Sequence, residues 1–90
     1  MDSAQEMKNL GQMIRLARQK AGMTQLSLGV ELGFKSGQPI SELERGVKTL
    51  SVRHIPHMAR SLGIAQEQII EHLVQVQRAR INRGVSSDQI

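Results

Sequence analysis

Few residues in this chain have the types and spacing that chemistry requires. His54 and His57 stand three apart, a spacing two metal ligands can share on one helical face. His72 is remote, no acidic ligand stands beside the pair, and the chain has no cysteine. The absence of thiolates removes both disulfides and the commonest structural zinc sites, so no metal and no cofactor is expected. There is no nucleophile motif, no phosphate-binding Gly-Lys-Ser/Thr loop and no carboxylate pair with a plausible cleft. An enzyme is therefore not expected. What remains is the chemistry of recognition, carried by amides, hydroxyls and guanidinium groups.

Cations dominate. Twelve Lys and Arg face eight Asp and Glu, a formal charge of +4. Residues 35–60 hold Lys35, Arg45, Lys48, Arg53 and Arg60 against Glu42 and Glu44, so most of the excess lies in the middle third. Such a balance in a small chain points toward a polyanion. Phe34 is the one aromatic residue. A lone ring argues against single-stranded nucleic acid, which is usually gripped by several stacking aromatics, and suits a core plug better.

The elements that must position these groups are helical. Ninety residues make one domain, and 39% hydrophobic residues allow an aliphatic core. Gly22, Gly33, Gly46 and Gly63 each follow a run with helical periodicity, where glycine commonly stops a helix. Leu10, Met13, Ile14, Ala17 and Ala21 define a helix over 9–21. Leu28 and Leu32 define a second over 24–32, capped by Thr24. Its interior Gly29 costs about 1 kcal/mol against alanine, which implies a close approach by another backbone. Ile40 and Leu43 define a third over 37–45, with Ser36 as cap and Pro39 in the first turn. A fourth covers 52–62, with Ser51 as cap; Pro56 means either a start near His54 or a bend. A fifth starts near Ala65 and reaches Asn82.

The expected fold is all-α, a compact five-helix bundle. Residues 1–8 form a flexible N-terminus, 9–64 the main domain, 65–83 a last helix and 84–90 a flexible tail. No signal peptide or membrane span is read, and a cytoplasmic protein is expected.

Two short helices joined by a tight turn at Gly33 make a helix-turn-helix, whose second helix can enter the major groove of DNA. The segment from Leu10 to Gly63, about 54 of 90 residues, resembles the lambda-repressor-like family of helix-turn-helix domains, the Cro/repressor or xenobiotic-response-element type. The resemblance is carried by Ile14-Arg15 and Arg18, then Gly22-Met23-Thr24-Gln25, Leu28-Gly29 and Leu32-Gly33. It continues through Ile40-Ser41, Glu44-Arg45-Gly46, Ser51, Ile55, Ala59 and Leu62-Gly63. Three features depart from the family pattern. The stretch between Gly33 and Ile40 is one residue longer, Gly37 and Pro39 stand in the third helix, and Gly29 replaces the usual alanine.

The resemblance implies a bacterial or phage-encoded regulator on the nucleoid that binds double-stranded DNA, as in phage, mobile-element, restriction-modification controller or antitoxin contexts. It implies a phosphate contact from Gln25. Gln38, Ser41 and Glu42 become base readers, with Glu42 alternatively solvated or paired with Arg45. Lys35 and Ser36 meet phosphate, Arg15 adds a contact from the first helix, and Arg45, Lys48, Thr49 and Arg53 run along the backbone. Arg53 is best placed for a narrow minor groove. Glu44 and Arg18 look like a structural ion pair. The last helix carries more apolar residues than one bundle needs. Ile69, Leu73 and Val76 face the core, leaving Ile70, Val74 and Ile81 for a homodimer that reads a pseudo-palindrome. A small chain would then take its regulation from concentration, a protein partner or proteolysis. The competing expectation is a protein-interaction adaptor that keeps the fold without reading DNA, suggested by Gly37, Pro39 and Glu42.

Overall fold

Five α-helices and one 3-10 turn succeed one another in the computed structural model, which describes residues 3–81 and 89–90. They are α1 (Ser3–Lys20), α2 (Gln25–Glu31), α3 (Gln38–Glu44), a 3-10 turn (Val52–His54), α4 (Ile55–Leu62) and α5 (Gln66–Arg80). No strand occurs among the described residues, although Thr49 and Gln89 form an isolated parallel bridge.

Local chemistry fixes the ends. The first four helices all stop on a glycine with positive φ, at Gly22, Gly33, Gly46 and Gly63. After each, the next N–H donates to the carbonyl five residues back: Met23 to Arg18, Phe34 to Gly29, Val47 to Glu42 and Ile64 to Ala59. This is the Schellman closure, and the left-handed residue it demands is cheap only for glycine. At the start of α2, the Thr24 hydroxyl accepts from the Ser27 N–H at 2.9 Å and the Ser27 hydroxyl accepts from the Thr24 N–H at 2.9 Å.

The helices bury an aliphatic core. Leu10, Ile14, Leu28, Ile40, Leu43, Leu50, Met58 and Ile69 are essentially inaccessible, and each contributes roughly 1.5–3 kcal/mol by leaving water. The α5 stripe Ile69, Leu73 and Val76 is buried as its spacing predicts.

Three boundaries differ from expectation. α1 begins at Ser3 and not near residue 9, because Met7 lies one turn before Leu10 and is buried with it. α3 begins at Gln38; Gly37 is its cap residue, while the Ser36 hydroxyl accepts from the Gln38 N–H at 3.3 Å. Pro56 is accommodated in the first turn of α4, whose run opens as a 3-10 turn. Gln89 and Ile90 do not fray: Ile90 packs against the core. The tail expected over 84–88, the end of the fifth helix at Asn82 and Arg83 all lie outside the described residues.

Glycines also decide how the helices meet. A Cβ on Gly11 would stand 2.4 Å from the Leu43 carbonyl oxygen and 2.5 Å from that of Glu44, so α1 lies directly on the end of α3. Gly29 does the same for α2, against the Ser36 carbonyl.

Candidate nucleic-acid interface

The best-defined polar cluster ties α3 to α1 and α2. Arg18 Nε donates to Glu44 Oε2 at 2.6 Å and Arg18 Nη2 to Glu44 Oε1 at 3.1 Å, a two-pronged pair. Arg18 Nη1 donates to the Met23 carbonyl at 2.8 Å. The pair is nearly inaccessible. Glu44 holds the Arg18 guanidinium more firmly protonated than usual, chiefly through their hydrogen bond and against the cost of burial. Gln25 Nε2 also donates to Glu44 Oε1, at 3.1 Å, so one of its two amide hydrogens is committed inside the protein.

Cations stand on either side of α3 in the chain. Lys35 and Ser36 are exposed in the turn between α2 and α3, and Gln38 is exposed at the start of α3. Ser41 and Glu42 are half-buried on α3. The Ser41 hydroxyl accepts from Arg45 Nε at 3.4 Å, so Ser41 and the exposed Arg45 share one patch. Lys48 is half-buried, and its N–H donates to the Glu42 carbonyl at 3.2 Å. Arg53 is exposed in the 3-10 turn. Arg15 is exposed on α1, four residues after Gly11 and three before Arg18, on the side that meets α3.

Two assignments change. Thr49 is fully buried, its hydroxyl without a partner among the described residues, so its side chain cannot meet an external ligand. Lys8, expected in a flexible segment, is helical and lies beside Gly46, whose Cβ would come within 2.8 Å of Lys8 Cγ. It adds an exposed cation next to the α3–α4 loop. The signal for it was Met7, Leu10 and Ile14, which continue one stripe.

The paired histidines take different partners. His54 meets Phe34 at a tilt, ring centroids 5.3 Å apart and planes at 52°, while His57 Nε2 lies 3.9 Å from a Glu31 carboxylate oxygen. The His54 Nε2 is buried without a partner among the described residues. Desolvation, then the charges of Arg53 and His57, push the His54 imidazole below its ordinary value. No cluster of three or more His, Cys, Asp or Glu able to hold a metal occurs among the described residues.

On α5 and the 3-10 turn, Ile70, Val74 and Ile81 are 40%, 40% and 75% exposed, and Val52 is 73% exposed. Together with Leu50 and Ile55 they line an apolar concavity of about 460 Å³. No described helix is long and apolar enough to cross a membrane. Compared with known proteins, the chain matches no family model and no curated protein.

Proposed function

We propose that this chain is a double-stranded DNA-binding transcriptional regulator of the lambda-repressor-like type, working as a homodimer. One observation carries the reading. A short helix with an exposed amide at its start, Gln38, is preceded by Lys35, ends on Arg45 and is followed by Lys48 and Arg53, with Lys8 beside Gly46, while Arg18 and Glu44 tie it to α1. Those cations would take phosphates and fix the register; Gln38, Ser41 and Glu42 would read base edges in the major groove. The second amide hydrogen of Gln25, left over from Glu44, would meet a phosphate.

The dimer rests on the apolar concavity of α5 and Leu50, Val52 and Ile55. Ile70 and Val74 are one turn apart on one face, so two copies related by a two-fold axis can cover each other's apolar stripe. The two recognition helices would then lie about 34 Å apart, one turn of DNA. Repression by blocking access to a promoter is the simplest action for such a dimer, with any regulatory protein partner acting on it from outside.

The adaptor alternative keeps Glu42 on α3 as support, while two of its three features have structural reasons of their own. Gly37 has a packing reason, since its Cβ would stand 2.9 Å from the Leu26 backbone nitrogen, and Pro39 sits harmlessly in the first turn. The deciding experiment is selection of bound duplexes from random DNA, followed by titration at two salt concentrations. Six or more phosphate contacts would weaken binding by about a thousandfold or more between about 50 and about 200 mM salt. Binding without salt response, or none at low salt, overturns the proposal.

A further inference from the structure

The segment Gln89–Ile90 lies beside the loop that leaves α3. Ile90 N–H donates to the Thr49 carbonyl at 2.8 Å, and Ser51 N–H donates to the Ile90 carbonyl at 3.0 Å. Thr49 and Gln89 face each other as a parallel bridge, and the Ile90 side chain packs on the core. The loop is held at its start by Val47 and Lys48 N–H groups on the Glu42 carbonyl. It is held at its end by the His54 N–H on the Ser51 carbonyl, at 3.1 Å. Between these points the Thr49 carbonyl and Ser51 N–H are satisfied by Ile90, residues far away in the chain. Lys48 stands immediately before this paired stretch and Arg53 shortly after it.

We propose that Gln89–Ile90 is a clip that positions Lys48 and Arg53 for the DNA backbone, so that it sets affinity although neither residue touches DNA. The inference rests on the DNA-binding reading above. Without the clip, two backbone groups turn to water and the loop no longer holds Lys48 and Arg53 against phosphates in the complex. Both cations then contribute less. Gln89 also lines the apolar concavity, so the clip is the place where the proposed dimer face and the DNA-contacting loop meet.

The test uses the full chain with Ile90→Asp, the milder Ile90→Ala, and the conservative Ile90→Leu, on a duplex selected from random DNA. Ile90→Asp should expose the Ser51 amide to rapid hydrogen exchange and weaken binding about tenfold. It should also reduce the slope of log affinity against log salt by about 1.8 per protomer, the share of two phosphate contacts. Ile90→Ala should fall between, and Ile90→Leu should restore both affinity and slope. In a Lys48→Ala, Arg53→Ala background, Ile90→Asp should change nothing further. A variant that loses Ser51 protection yet keeps wild-type affinity and slope overturns the clip. So does equal weakening at unchanged slope, which is the mark of a merely structural residue. Failure of the wild type to bind any duplex instead overturns the DNA-binding reading itself.

Discussion

Gly29 faces the carbonyl oxygen of Ser36 so closely that a Cβ on Gly29 would stand 2.4 Å from it. The Gly29 carbonyl in turn accepts the Phe34 N–H at 2.9 Å. One residue in the middle of α2 thus sets both faces of the turn that carries α3. Helix propensity alone favours alanine there by about 1 kcal/mol. A backbone clash of this depth costs about 1–3 kcal/mol and wins. Gly29→Ala should therefore lower the urea midpoint; a raised midpoint would refute the contact.

Glu44→Ala should be among the most damaging single changes. It strands the nearly inaccessible Arg18 guanidinium and releases Gln25. Breaking a fully buried pair costs about 3–5 kcal/mol, and this part-buried pair a share of that. In thermal melts of a domain this size, a drop smaller than about 4 °C, or less than ~1 kcal/mol, would contradict this.

Thr49→Val should stabilise the protein. The Thr49 hydroxyl is buried with no partner among the described residues, and an unsatisfied buried polar group costs about 1–3 kcal/mol. Valine keeps the shape and removes the group. The proposed duplex binding should stay unchanged, because the Thr49 side chain is fully buried. A loss of stability would point to a hidden partner for the hydroxyl.

His54 should make stability fall in acid. Its folded value lies below the ordinary 6.5, so the folded protein binds fewer protons than the unfolded chain. The contribution is complete above pH 6.5 and is lost as pH falls from there through the lowered folded value. A His54→Phe variant keeps a ring against Phe34 and does not titrate. The difference between its urea midpoint and that of the wild type should be flat above pH 6.5 and grow below it. A constant difference through that window would exclude the linkage.

Ile70→Glu with Val74→Glu should give monomers. Both side chains are exposed within the apolar concavity, so the change disturbs the proposed dimer contact and not the core. Sedimentation should show half the wild-type mass with helix content retained. An unchanged mass would refute this face as the interface.

Much of the fold was legible because it is written locally. The four glycines mark helix ends that depend only on the preceding turn. Ile69, Leu73 and Val76 declare a buried stripe by spacing alone. Residues 3–8 were misread because Glu6 and Lys8 look solvated, although Met7 extends the apolar stripe and Glu6 itself is buried. Thr49 sits in a stretch that reads like an open loop, and nothing nearby says that Leu50 draws it inward.

The sequence by itself determined an all-helical chain, the end of each of the first four helices, and a middle third rich in cations. Those properties come from backbone preferences and side-chain spacing, which act over about one or two turns. Tertiary structure decided which groups meet across the chain. Gly11 lies on the Leu43 and Glu44 carbonyls, Gln25 turns its amide to Glu44, and Ile90 pairs with Thr49 and Ser51. A glycine in a helix does not name the backbone that will approach it, and a single isoleucine has no periodicity. Their partners exist only once the bundle is packed and every buried donor and acceptor must find one.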